Sequence, residues 1–468
     1  MEDRKRNQIL LVLFIGVLMG ALDIAIVGPA LPAIQKYYGV GERALAWMFS
    51  IYVLFNLVGT PLMAKLSDIY GRRNIYIIDV SLFAAGSLLV ALAPSYAFVL
   101  AGRAIQGFGA GGIFPVASAV IGDTFPAEKR GRPLGLIGAV FGLAFIIGPI
   151  LGGVLLLVGW QWLFIINLPI AAVVIWMSRG LLPSKRISDG STFDAAGMVV
   201  LALLLASLAF GISQIDTSQF LTSLSRLEVW PFLVLTGILA VVFVFIERSA
   251  LNPILRLDLF KNRQMALAYG LSAGAGFGEA GLIFMPALAL AALAYMGVTK
   301  SSASFLLMPV VVAMGIGSPL IGRMLDEMGS KTVIVAGTIT LAVGMFLLGN
   351  FSSSLALFII SGLLIGLGLS ALLGAPLRYI MLNEASVADR SSAQGVITLF
   401  GSIGQLLAAS VIGAVAASSG GGASGFSQAY LVTGCISLLL VLVALGLKNR
   451  TAERASVKQN EILSEPNA

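Results

Sequence analysis

Runs of roughly 20 apolar residues, the length a helix needs to cross a bilayer's hydrocarbon layer, recur along the whole chain with short polar clusters between them. They predict fourteen membrane-spanning helices. The first seven fall near residues 9–31, 45–66, 75–93, 96–118, 133–158, 161–182 and 195–213. The other seven fall near 229–247, 265–287, 302–322, 332–350, 355–375, 392–416 and 428–447. The apolar pattern of the ninth runs on from Phe284 to Met296. The basic stretch Met1–Arg6 leads into an apolar run that continues to Leu31 with no small-residue cleavage site, so it reads as an uncleaved first span. The Gly- and Ser-rich stretch 417–426 reads as a flexible loop before the last span.

Basic residues in the loops orient these spans, because cytoplasmic loops carry an excess of Lys and Arg. With the N-terminus inside, the inner face holds 24 of the 29 Lys and Arg residues. Only Lys36, Arg43, Arg226 and Lys300 fall outside, and Arg103 lies within a span. A missed span would move every later loop to the other side, so an even number with both ends cytoplasmic is expected. The chain therefore reads as a multi-pass protein of the inner (cytoplasmic) membrane.

Composition agrees. Of the 468 residues 58% are hydrophobic and 11% charged, against about 25% charged in soluble domains. The net charge of +7 sits in clusters between apolar runs, so it reads as the membrane's inner rim and implies no nucleic acid. Cys435 is the one cysteine and there is no histidine. No disulfide or thiolate metal site is then possible within one chain, and proton handling must rest on carboxylates aided by arginine. Without His, a usable Cys, a metal cluster or a Walker-type glycine loop, the chain reads as no enzyme and calls for no cofactor.

The pattern also repeats. The loop after span 2 reads Lys65-Leu66-Ser67-Asp68-Ile69-Tyr70-Gly71-Arg72-Arg73, and that after span 10 reads Arg323-Met324-Leu325-Asp326-Glu327-Met328-Gly329-Ser330-Lys331. Both place Gly three residues after Asp and a base within the next two. Two six-helix bundles, 1–183 and 264–447, account for this. Two inserted spans with flanking loops occupy 184–263, and 448–468 forms a cytoplasmic tail. Parallel repeats of this kind are typical of transporters whose halves rock around a central site.

Three patterns, with the span count, resemble the major facilitator superfamily, and within it the fourteen-span drug:proton antiporters. Asp68, Gly71, Arg72 and Arg73 match that family's loop between spans 2 and 3, with Ala64 in place of its leading glycine and Ile69 in place of a base. The resemblance implies a conformational latch, with the arginines reaching carboxylates such as Asp123 at the end of span 4, and Asp326 and Gly329 as the second copy. Gly142-x5-Gly148-Pro149-x2-Gly152-Gly153 in span 5 resembles the antiporter motif associated with export. Leu100-x2-Arg103-x2-Gln106-Gly107 resembles the family's motif with an intramembrane arginine. Leu22-Asp23-x2-Ile26-Val27 and Trp160-Gln161-Trp162-Leu163-Phe164-x2-Asn167-x-Pro169 are similar to signatures of the fourteen-span group, with Ala25, Gly28-Pro29 and Gln161 as departures.

An ionisable group at mid-bilayer depth is costly and marks function by default. Asp23 and Glu279 each lie about 14 residues into a span, roughly 20 Å from its starting face at 1.5 Å per residue. Arg103 lies in the outer half of span 4. Asp79, close to the start of span 3, is expected to meet Arg72 or Arg73 at the interface. Burial disfavours a carboxylate's charged form and a nearby arginine favours it, so Asp23 and Glu279 are expected to exchange protons, with Arg103 the switchable counter-ion of Asp23. Trp47, Tyr52, Asn56, Phe284 and Met308 are candidates to line a cavity. The resemblance implies a monomeric, proton-driven exporter whose partners are protons, lipid and small hydrophobic substrates. A lipid or metabolite exporter on the same fold, or a non-transporting membrane sensor, is the alternative.

Overall fold

The structure, a computed structural model, describes residues 3–125, 131–183, 194–251, 253–255, 257–385 and 390–453. The helices of the first half are α1 (Asp3–Tyr38), α2 (Glu42–Tyr70), α3 (Arg72–Ala91), α4 (Tyr96–Thr124), α5 (Gly131–Leu155), α6 (Trp162–Ile165) and α7 (Asn167–Leu181). Next come α8 (Ala195–Ser213), the short α9 (Phe220–Leu224), α10 (Trp230–Ser249) and α11 (Arg263–Ala292). The rest are α12 (Lys300–Phe305), α13 (Met308–Met328), α14 (Ser330–Phe351), α15 (Leu355–Leu373), α16 (Ala375–Glu384), α17 (Arg390–Ser418) and α18 (Gly422–Leu445). Every one of the fourteen expected spans falls on helix. Among the described residues thirteen helices are long and apolar enough to cross a membrane. At the fifth position stands α5, apolar through Ile146–Leu155.

The boundaries differ from expectation in instructive ways. α1 starts well before residue 9 and ends after residue 31, because Pro29 and Pro32 are absorbed within it where the neighbouring helices bury their turns. The stretch expected as a loop at 417–426 is mostly helix. Gly420, Gly421 and Gly422 all take positive φ, a region open to glycine. They reverse the chain in so few residues that α18 begins at Gly422. Span 6 is divided at Ile166 into α6 and α7, and span 10 at Leu306-Leu307 into α12 and α13.

The chain packs as two compact units. The first comprises Met1–Ser207, Leu235–Ile254 and Thr299–Phe305. Its heart is α4, whose glycines let neighbouring backbones come close in the absence of a hydrophobic drive between helices in lipid. A Cβ at Gly107 would strike the Tyr52 backbone, one at Gly111 that of Asn56 and Thr60, and one at Gly86 that of Gln106. The expected antiporter motif on α5 faces α1 in the same way. Gly148 lies against Ala25, Gly152 against Pro29, and Gly153 against Phe305, with Ser301 Oγ donating to the Gly153 carbonyl at 2.6 Å. Gly142 and the buried Pro149 lie on the same helix.

The second unit comprises Leu208–Val234, Leu255–Val298 and Leu306–Ala468. There α11 packs on α17 and α18, and α14 on α15 and α18. Gly276 meets Gly401, and Gly404 meets Ala273. The two loop copies have matching backbones. Gly71 sits at φ 94° and Gly329 at φ 80°, each ending one helix and starting the next, with N–H donating to the carbonyl four residues back. Only glycine takes that conformation without strain, which supports a true internal repeat.

Candidate functional site: a buried charge network in the first unit

Arg103 and Asp23 are both wholly buried, and Arg103 Nη1 meets Asp23 Oδ2 at 2.6 Å. The same Nη1 donates to Gln106 Oε1 at 2.6 Å, and Arg103 Nε donates to the Met48 carbonyl at 3.2 Å. The guanidinium lies 4.1 Å above the centre of the Tyr52 ring. Gln106, one turn on from Arg103 and so on the same face of α4, turns its amide to Asp23 Oδ1 at 2.6 Å and to Ser87 Oγ at 2.8 Å. Asn167, at the start of α7, donates to the same two oxygens at 3.4 and 3.2 Å. Helices α1, α2, α3, α4 and α7 thus all contribute to a charge-neutral network.

Such a network is a high-stakes arrangement. Inside a low-dielectric interior each bond is strengthened by its neighbours, and any member left alone is costly. Arg103 Nη2 has no hydrogen-bond partner among the described residues. Sequence reasoning placed Asp23 with Arg103. It quoted Gln106 and Asn167 only as parts of signatures and missed Ser87 and Met48. Tyr52, a candidate cavity lining, is instead the floor beneath Arg103. Phe284 is likewise buried, its ring 6.2 Å from that of Phe426.

Glu279 belongs to the second unit. It is half-buried on α11 and accepts from Gln405 Nε2 of α17 at 2.7 Å. No cation reaches it among the described residues, so the two carboxylates have different surroundings: Asp23 is saturated and Glu279 is held by one amide.

At the expected latch, Arg72 reaches both Asp68, at 2.6 Å, and Asp123, at 3.1 Å, and donates to Ser67 Oγ at 2.6 Å. These contacts all lie inside the first unit. Arg73 instead donates to the Arg179 carbonyl at 3.3 Å. In the second copy the side chain of Asp326 lies outside the described residues. There Glu453 accepts from the Ser330 N–H at 3.1 Å and from its hydroxyl at 2.5 Å, capping α14.

Asp79 corrects the sequence reading. Arg72 is taken by Asp68 and Asp123 and Arg73 by a carbonyl, so neither meets it. Asp79 is wholly buried against α4, and neither carboxyl oxygen has a hydrogen-bond partner among the described residues.

Comparison with known proteins agrees with this architecture. The chain is 35% identical over 417 residues to the uncharacterized MFS-type transporter YfiU of Bacillus subtilis (strain 168), covering 87% of this chain and 79% of the relative. It is 29% identical over 414 residues to multidrug resistance protein 3 of the same organism, again covering 87% and 79%. It is 30% identical over 421 residues to the multidrug transporter protein MdtP, also of that organism, covering 88% and 76%. In fold it resembles the nucleoside transporter NupG, with TM-score 0.66, 14% identity, and 98% and 100% of the two chains covered. It also resembles a D-xylose-proton symporter, with TM-score 0.67, 16% identity, and 95% and 98% covered. The sequence profile of the Major Facilitator Superfamily matches residues 13–282 and 275–465. An all-helical, glycine-packed membrane protein with a charged pair in its interior thus has its place: the chain belongs to the Major Facilitator Superfamily of multi-pass membrane transporters, and is not an enzyme.

Proposed function

We infer that this transporter is a proton-coupled exporter of hydrophobic, drug-like compounds across the cytoplasmic membrane. It works as a monomer with both termini inside, its chain made of two six-helix bundles (1–183 and 264–447) with a pair of spans inserted between them in sequence. The observation that carries this reading is the wholly buried Asp23–Arg103 pair with its Gln106 and Asn167 bonds. A charged pair buried in lipid surroundings is a poor source of stability compared with well-packed apolar residues, so its retention supports a working role. Protonating Asp23 removes its charge and so weakens both its attraction to Arg103 and the bonds it accepts from Gln106 and Asn167, which joins α1, α4 and α7 to the proton's arrival. Glu279, held by a single amide, is the second exchangeable carboxylate. The similarity to relatives named as multidrug transporters supports the substrate class, and the close packing of Gly148, Gly152 and Gly153 in a motif associated with antiporters supports the direction.

Proteoliposomes loaded with a lipophilic dye test this. An imposed pH gradient is expected to drive dye transport in the wild type, and Asp23→Asn is expected to abolish the gradient's effect while leaving dye binding measurable. Gradient-driven transport that survives in Asp23→Asn contradicts the assignment.

A further inference from the structure

Asp79 lies seven residues from the start of α3, about 10 Å along its axis. It sits between that helix's first residue, Arg72, and Ser87, a member of the Asp23 network a further eight residues on. Its carboxyl is pressed on the backbone of α4, where a side chain at Gly112 would overlap it. Gly109 approaches the backbone of the same residue. One turn before Asp79, the wholly buried Tyr76 directs its hydroxyl at Gly16 of α1, and that hydroxyl too has no hydrogen-bond partner among the described residues. Ser178, one turn beyond the Val174 that also approaches Gly16, is a second buried hydroxyl without a hydrogen-bond partner among the described residues. Buried polar groups are nearly always bonded. The orphaned Tyr76 and Asp79 on the first half of α3 therefore call for an account.

A carboxylate without a counter-charge or a donor cannot stay ionised in such a place; it takes up a proton instead. The packed elements bring Asp79 no relief. Arg6 and Asp23 of α1, Lys65 and Asp68 of α2, Arg103 and Asp123 of α4 and Arg179 of α7 make neither a hydrogen bond nor an ion pair with it. Among the described residues the titratable group that stands beside it is Tyr76, on its own helix.

We propose that Asp79 is a further proton-carrying residue of the transport cycle beside Asp23 and Glu279, loaded in the conformation described here and discharged toward the cytoplasm when α4 parts from α3 at Gly109 and Gly112. This rests on the proton-coupled reading above and on the charge count that places the start of α3 inside. On discharge the carboxyl O–H bond breaks, its proton passes to a water molecule of the cytoplasmic side, and the carboxylate remains until a proton returns.

The test uses the full chain in proteoliposomes, with ethidium as the transported dye and the membrane potential clamped by potassium and valinomycin. Each coupled proton multiplies the attainable accumulation ratio by about tenfold per pH unit imposed. Asp79→Asn, which mimics the neutral acid, is expected to lower the wild-type ceiling by about tenfold at a one-unit gradient, and Asp79→Glu to restore most of it. An Asn variant that reaches the wild-type ceiling at every gradient overturns the proposal while leaving Asp23 in place. A wild type indifferent to the gradient overturns the proton-coupled reading and this proposal together. If Asp79→Asn fails to fold, infrared spectra of wild type and Asp79→Glu decide: a protonated-carboxyl band that shifts between them is expected, and the absence of a shift overturns the assignment.

Discussion

Removing Arg103 alone, as Arg103→Met, strands Asp23 in a site with no access to solvent. The guanidinium takes with it the 2.6 Å ion pair, the bond to the Met48 carbonyl and its place over Tyr52. Breaking a buried pair from one side typically costs about 3–5 kcal/mol, because the remaining charge is left uncompensated. Asp23→Leu leaves Arg103 stranded and costs a similar amount. In the double variant neither charge remains, and Gln106 and Asn167 keep their bonds to Ser87 at 2.8 and 3.2 Å. Its cost is therefore that of a lost acceptor or two, about 1–4 kcal/mol. The singles sum to about 6–10 kcal/mol, so the coupling energy exceeds about 2 kcal/mol. Unfolding of all four proteins by SDS titration in mixed micelles, followed by circular dichroism, gives the cycle. Single-variant costs that simply add in the double variant, within about 0.5 kcal/mol, refute the reasoning.

Three further outcomes are expected. Arg72→Gln loses its bonds to Asp68, Asp123 and Ser67 and is expected to cost about 1–2 kcal/mol in the same titration, at the low end because the two carboxylates are part-exposed. Arg72→Lys recovers little, since one ammonium cannot serve all three as the guanidinium fork does. Glu453→Ala uncovers the first turn of α14 at a cost of about 1 kcal/mol, and hydrogen exchange is expected to quicken at Ser330–Thr332 with no change at α15. Glu279→Gln keeps the shape and a bond to Gln405, so its unfolding matches the wild type, while the dye ratio under a one-unit pH gradient drops by about tenfold.

The spans and the Asp23–Arg103 pair were legible in the sequence because both follow from one rule, that charge in lipid is rare and needs a partner. The turns at Gly71 and Gly329 were legible because both glycines answer to a backbone requirement that other residues meet only with strain. What could not be read is which face each helix turns inward. A helix in lipid is apolar all round, so the usual apolar stripe gives no bearing. Asp79 shows the consequence. Its distance from the start of the span suggested a partner at the interface, whereas the turn of α3 aims it at the bare backbone of α4. For the same reason Ser87 was missed and Asn167 was seen only as part of a signature. Each is a small polar residue that membrane helices commonly carry, and only the packing of α3 and α7 against α1 brings them to one carboxylate.

Among its spans α10 is set apart: only Phe243 and Glu247 of its twenty residues are buried, while Val234, Ile238, Val241 and Phe245 are bare to the surroundings. No neighbouring side chain dictates the shape of most of its residues; oil does, and oil is an undemanding judge. Along this helix natural selection can weigh little beyond greasiness, so kindred chains should share its character while spelling it differently, and the segment is where the protein can be reworded at least risk.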